Sequence, residues 1–457
     1  MTFAVVCLRC AWVSDDAYVT LRTLDHFVGG YGLRYNPAER VQAFTHPLWL
    51  AALAGPYAAT RDGWLMPMAA GLALTTLAAA GLATRVATGP RGAAVALIGL
   101  IGSKAAVDYG TSGLENPLEN LLLVAFVAEL FGRARLGWLG GLTGLLAVTR
   151  LDAPALVVPA LVVAAAERKP REWLSVGVGA APVLLWHGFA LVYYGALLPN
   201  TAYAKLGTGL PLAELARQSG WYFAWTARVD PLTLPAIGAG LAAAVFARDR
   251  RSLALALGIA LHLAWVVRIG GDFMGGRFFV APLWLALALL ARVDWSPRAL
   301  GTAVALAAAS LLSPYAPLRS GPGYEKAPPS HGVVDERGYY WRGLGLWGGS
   351  SLARGPRHEF GRDGREARGT PVVVKSVVGL FGYEAGPGVH VVDRLGLTDP
   401  LLARLPAQYD PSWRIGHFRR HLPQGYLESV GADANTLADP ALARLYDAVR
   451  LATRAPE

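Results

Sequence analysis

The chain alternates long apolar runs with short polar breaks, and one mostly polar block near its start, 14–49 (SDDAYVTLRTLDHFVGGYGLRYNPAERVQAFTHPLW), stands apart from that rhythm. A helix needs about 20 predominantly apolar residues to cross a bilayer. On that measure the pattern predicts spans at 64–84, 92–108, 118–132, 136–149, 153–166, 173–193, 232–247, 252–268, 278–291 and 299–313. With the apolar start at 1–13 these make about eleven crossings. The start is short and carries Arg9, so the true N-terminus is expected upstream; it has neither the basic leader nor the small-residue cleavage site of a signal peptide. Residues 46–59 are apolar but brief and broken by Pro47, Gly55 and Pro56, which reads as a helix half-inserted at the membrane surface.

Beyond 313 the texture changes. Residues 314–370 are rich in turn formers without a clear period and read as a linker. The runs 371–379 (PVVVKSVVG) and 388–393 (GVHVVD) read as buried strands, 398–404 as a short capped helix and 436–453 as an amphipathic helix. The expected architecture is therefore an all-α polytopic membrane domain over 1–313, the linker, and a small α/β domain over 371–457.

Composition supports the membrane reading. Hydrophobic residues make up 54% of the chain and charged residues 16%, with a mean hydropathy of +0.36, against roughly a quarter charged in a soluble protein. The net charge of +10 does not point to nucleic acid, because the basic residues fall in short loops between apolar runs. Alternate loops hold Arg85 and Arg91, Arg133 and Arg135, Arg168, Lys169 and Arg171, Arg248, Arg250 and Arg251, and Arg292 and Arg298; positive-inside orientation makes these cytoplasmic. The complementary loops hold Asp15, Asp16, Glu115, Asp152, Asn200, Lys205, Asp272 and Arg277, which are then external. Cys7 and Cys10 lie in the apolar start with no redox or metal context around them.

The polar block carries the first candidates for chemistry. Asp15 and Asp16 stand where an apolar segment meets water, and ionised residues at such a place are rarely there for stability alone. Gly29, Gly30, Gly32 and Asn36-Pro37 are turn formers that bend the chain back to the membrane. Helix capping or an ion pair with Arg22 is the alternative reading of the two acids. Paired acids can also bind a divalent cation through oxygen, the one cofactor left open.

The run DDAYVTLRTLDHFVGGYGLRYNPAERVQAFTHPLW, followed in order by GTSGLENPL (110–118), TRLDAP (149–154), YYGALLPNTAYAKLG (193–207) and GGDFMGGRFFVAPL (270–283), resembles the signature of membrane glycosyltransferases related to the terminal arabinofuranosyltransferases of mycobacterial cell walls. A bacterial flagellar motor control family shares it. The chain departs from the pattern at Gln42-Ala43-Phe44 and His46, where the family more often shows Glu-Gly-Tyr and Asn.

The resemblance implies a GT-C fold and transfer of an arabinofuranosyl-type sugar from a polyprenyl phosphate to a cell-envelope glycan. It places the active site and the C-terminal domain on the outer face of the plasma membrane, with membrane lipids as further partners and no nucleic acid. Such a transfer needs a base for the acceptor hydroxyl, here Asp15 or Asp16, with Glu115 as a second acid. It also needs cations for the lipid phosphate, for which Arg150, Lys205, Arg268 and Arg277 are candidates, with Asp152, Asn200 and Asp272 in the same blocks. Arg150 with Asp152, and Asp272 with Arg277, are alternatively ion pairs within the bundle. Lys104 and Asp108, one helical turn apart, are expected to pair. His187 and His262 read as core or lumen residues. Asp393, Asp399, Arg414, His417, His421 and Tyr426 resemble family positions without a catalytic spacing. A non-enzymatic membrane scaffold at the flagellar motor and a transporter are the competing readings.

Overall fold

A computed structural model describes residues 2–206, 208–321, 323–349, 355–410 and 413–454. The fold is mostly helical, with one two-stranded sheet among the described residues. Among the described residues, three helices are long and apolar enough to cross a membrane: Leu65–Val86, Pro170–Tyr194 and Arg250–Ile269. Leu212–Val229 and Thr233–Ala247 form a fourth candidate bent by 102°. Shorter apolar helices lie at Pro90–Gly102, Leu136–Thr149, Pro154–Ala166 and Arg277–Leu290.

The chain separates into two compact units. The first comprises Met1–Val13, Pro67–Leu184 and Leu212–Pro356. Its centre is the helix Val280–Leu290, all of whose residues are buried; a helix that is apolar all round has no polar stripe to turn to water and is enclosed by its neighbours. Small residues let the surrounding helices approach closely. A Cβ on Gly258 of helix Arg250–Ile269 would stand 2.0 Å from the Leu156 carbonyl oxygen of helix Pro154–Ala166, and one on Gly240 would stand 2.6 Å from Ala286.

Two features of this unit were not legible from periodicity. The run 92–108 breaks at Ser103, whose hydroxyl accepts from the Ala106 amide (3.1 Å) and starts a new short helix, Lys104–Asp108. Residues 314–370, read as a linker, contain the helix Glu336–Leu344, capped by Asp335, and the helix Glu359–Glu366, which belongs to the other unit. Helix Glu336–Leu344 is held by charge. Lys104 pairs with Asp108, as expected, and with Asp335 at 3.0 Å, while Arg337 Nε donates to Asp108 at 2.6 Å, all buried. Buried ionic groups that satisfy one another specify a fold without leaving an apolar period to read.

The second unit comprises Ser14–Met66, Leu185–Pro211 and Arg357–Glu457. Its sheet pairs β1 (Val372–Lys375) and β2 (His390–Asp393) in parallel, Val372 opposite His390 and Lys375 opposite Asp393. Parallel strands need a crossover, and the helix Gly379–Ala385 lies in it. Alternation along the strands sorts the core into two faces. Val373 and Val391 join Tyr35, Val378, Phe381 and Val389, whereas Val372, Val374 and Val392 join Leu401, Leu402, Tyr426 and Tyr446. The polar block read as an external loop contributes the helix Asp15–Val28, with its two acids in the first turn and Ala17, Tyr18, Leu21, Arg22 and Leu24 on its buried face. Helix Pro47–Thr60 is 14 residues long, short of the roughly 20 of a span.

Candidate active site

In the first unit, four of the expected site residues meet in one buried cluster. Gly113 turns the chain at a positive φ of +78°, a conformation that costs glycine little, and Glu115 follows at the mouth of helix Asn116–Phe131. Its carboxylate accepts from Arg150 Nη1 at 2.8 Å and from Arg277 Nη2 at 3.0 and 3.3 Å. Arg150 also holds Asp152 at 2.9 Å and reaches Glu119 at 3.6 Å, with its guanidinium 5.1 Å from the centre of the Phe278 ring. Three carboxylates thus face two guanidiniums. The expected Arg150–Asp152 pair is present, and Arg277 pairs with Glu115.

Two residues join this cluster that sequence reasoning left out. Glu119 stands one turn after Glu115, and that i, i+4 spacing was a legible signal. His262, read as a core or lumen residue, is buried with Nδ1 3.8 Å from Asp152 and Nε2 3.2 Å from the Phe278 carbonyl oxygen. Nothing local in the sequence links residues 152 and 262. Asp272 is buried and accepts the Phe273 amide at 2.8 Å. Arg268 is exposed at the end of its helix.

Asp15, Asp16, Asn200 and Lys205 lie in the second unit, and the two adjacent acids differ. Asp15 is buried, and its carboxylate accepts the amides of Gly379 (3.1 Å) and Leu380 (2.9 Å), the first residues of the crossover helix. Burial pushes its pKa up from 3.8 to about 7 against the pull of those amides. Asp16 is half-buried and makes no side-chain hydrogen bond or ion pair among the described residues. The alternative pairing with Arg22 does not form: that guanidinium donates to the carbonyls of Tyr35 (2.7 Å), Gly382 and Val389 (2.8 Å). Asn200 Nδ2 donates to the carbonyls of Gly396 (2.9 Å), Leu397 (3.2 Å) and Asp399 (3.0 Å), and Lys205 is exposed.

Two further acids of this unit are structural in their contacts. Asp393 accepts the amides of Leu395 and Thr398, and Asp399 accepts the Leu402 amide and the Tyr426 hydroxyl. Burial raises their pKa to about 6 and about 8. For a divalent cation, Asp15 is a poor fit, since both its oxygens already accept N–H groups. No group of three or more His, Cys, Asp or Glu is placed to hold a metal ion among the described residues.

The sequence compares with two curated relatives. A terminal beta-(1->2)-arabinofuranosyltransferase of Mycobacterium tuberculosis is 25% identical over an alignment covering 90% of this chain and 81% of that protein. The chain is similar to terminal arabinofuranosyltransferases. The protein of the same description from Corynebacterium glutamicum is 28% identical, over 60% of this chain and 47% of its own length, so the chain spans about half of that relative. No family model matches. Among solved structures, ArnT from Cupriavidus metallidurans bound to undecaprenyl phosphate aligns with a TM-score of 0.47 and 16% identity, covering 66% of this chain and 60% of that one.

Proposed function

We propose that the chain is an integral-membrane glycosyltransferase that moves a sugar, arabinofuranosyl by its relatives, from a polyprenyl phosphate to a cell-envelope glycan. The observation that carries the reading is the division of labour between the two acids. Asp15 is committed to the helix beginning at Gly379, which leaves Asp16 beside it, half-buried and without a protein partner among the described residues, as a carboxylate able to meet a substrate hydroxyl. A general base needs that freedom together with hydrogen-bond reach to the proton it removes.

In the proposed step the acceptor hydroxyl oxygen bonds to the anomeric carbon of the donor sugar. The bond from that carbon to the phosphate oxygen breaks, its electron pair stays on the phosphate, and the hydroxyl proton passes to Asp16. Lys205, in the same unit as Asp16, exposed and unpaired with an acid among the described residues, is the cation proposed to receive the anionic phosphate. Arg150 and Arg277 are already compensated by Glu115 and Asp152, so they are proposed to hold the shape of the first unit's site. The proposed topology has about eleven crossings, the shorter apolar helices included, with Asp16 on the extracytoplasmic side.

The test is an assay of the purified chain with a polyprenyl-phosphate pentofuranose and an oligosaccharide acceptor. Asp16→Asn keeps size and hydrogen bonding but removes the proton acceptor, so turnover should fall by roughly 10²-fold or more with the melting temperature unchanged. Transfer by Asp16→Asn at the parental rate would remove Asp16 as the base. A parent chain that transfers no sugar from any such donor would remove the transferase reading itself.

A further inference from the structure

In the first unit, two basic turns that the sequence sets apart are joined by the fold. Arg168, after helix Pro154–Ala166, donates from Nη2 to the carbonyl oxygens of Arg133 (3.0 Å) and Ala134 (3.4 Å), in the turn before helix Leu136–Thr149. Beyond the turns, that helix lies so close to the helical segment Pro170–Gly179 that a Cβ on Gly140 would stand 2.6 Å from the Val176 carbonyl oxygen. Arg133, Arg168, Lys169 and Arg171 therefore share one end of this helix group. All four are exposed, and none makes an ion pair among the described residues. The neighbouring acids are mostly committed: Glu129 is held by Arg135 at 2.8 Å and Glu167 by Arg251 at 2.5 Å, which leaves Glu172 as the counter-charge within the two turns.

Apolar surface begins where the charge ends. Trp138 and Trp173, which follow the two groups of cations, are 61% and 51% exposed; Arg135 lies 5.2 Å from the Trp138 ring, and Trp173 Nε1 donates to the Ala165 carbonyl at 2.8 Å. Leu174 (85%) and Val178 (59%) carry the exposed surface on along the same segment. Orientation in a membrane requires that such turns be basic, but not that they be tied together with tryptophans beside them. Converging cations suit a phosphate, tryptophan rings suit the level where headgroups meet chains, and exposed aliphatic side chains suit acyl tails. An acidic protein segment would meet the charge and leave Leu174 and Val178 uncovered. We infer that the joined turns bind an anionic phospholipid, its phosphate held by Arg133, Lys169 and Arg171 and its acyl chains lying along Leu174 and Val178. Basic pockets between helices on the cytoplasmic side are where such headgroups settle, and the proposed topology puts both turns on that side. The lipid is a bound neighbour of the fold, neither donor nor acceptor of the transfer reaction.

The experiment places the full chain in phosphatidylcholine nanodiscs, adds chain-brominated phosphatidylglycerol or chain-brominated phosphatidylcholine in equal small fractions, and reads quenching of tryptophan fluorescence. Brominated phosphatidylglycerol is expected to quench more strongly than brominated phosphatidylcholine, and the excess should vanish in the Trp138→Phe/Trp173→Phe variant. Lys169→Gln/Arg171→Gln should raise the phosphatidylglycerol fraction needed for half of the excess by about tenfold or more, since each basic residue near an anionic surface contributes roughly fivefold. In detergent without added lipid that variant should melt with the parent, because neither side chain has an acidic partner among the described residues. Arg298→Gln removes an exposed cation from another basic loop and should keep the parental response. Equal quenching by the two brominated lipids, an excess that survives loss of both tryptophans, or a loss in Arg298→Gln as large as in the double variant would each overturn the site. Displacement of phosphatidylglycerol by polyglutamate would assign the turns to an acidic protein segment and overturn the lipid. Sugar transfer is not read, so each of these outcomes leaves the transferase proposal where its own assay puts it.

Discussion

Adjacent carboxylates in one sequence acquire different roles when only one of them meets backbone donors. Asp15 receives two amides at the start of the crossover helix in a buried setting, and its pKa rises to about 7 because burial outweighs them. A carboxyl whose folded pKa lies above its unfolded value binds its proton more tightly in the native state. The stability it adds is therefore complete below about pH 3.8 and lost as pH rises through about 7. Asp15→Asn removes that titration, so its stability should fall less between pH 4 and 7 than the parent's, as measured by melting temperature across that range. A parallel pH dependence in parent and variant would show that Asp15 does not titrate there. Glu115 calls for a different expectation. Removing it leaves Arg150 and Arg277 with fewer counter-charges at side-chain exposures of 10% and 12%, and breaking a buried pair costs about 3–5 kcal/mol. Glu115→Ala should lose stability on that scale in detergent unfolding, and a change below about 0.5 kcal/mol would show that the cluster does not hold the fold.

Among the elements, close approach decides what can be substituted. The crossover helix touches helix Asp15–Val28 so tightly that a Cβ on Gly379 would stand 1.9 Å from the Asp15 carbonyl oxygen and 2.6 Å from its carboxylate. Backbone cannot give way as a side chain can, and overpacking costs typically 1–3 kcal/mol. Gly379→Ala should therefore lower stability by that amount and turnover with it, through the displaced acid pair. Gly388→Ala, where a Cβ meets nothing within 4 Å, is the control and should leave both within error; equal effects from the two would discount the helix contact. The two strands were legible because their alternation splits valines between two faces, whereas helix Glu336–Leu344 was not. Its anchors are charges, Asp335 and Arg337, whose partners Lys104 and Asp108 lie more than two hundred residues away.

On the scale of the whole molecule, the distribution of basic loops predicts which side of the membrane each connection occupies. In a chain with Cys7 and Cys10 replaced, cysteines at Thr88, Arg133 and Ala247 should resist an impermeant thiol reagent in intact cells while one at Lys205 reacts. Labelling of Arg133→Cys but not Lys205→Cys would invert the topology and remove the extracytoplasmic site. Local sequence by itself determined that apolar runs become membrane-type helices, that strands fall within 371–379 and 388–393, though the first ends at Lys375, and which residues carry charge where water begins, because periods of 3.6 and 2 and the positions of charged groups are written in neighbouring residues. Only the tertiary structure decided that Asp15 caps a helix 364 positions later and leaves Asp16 open. It likewise brought Glu119 and His262 to Arg150 and Asp152, and tied the turn at Arg133 to Arg168. Those partnerships join segments far apart in the chain, and packing, not periodicity, chooses them.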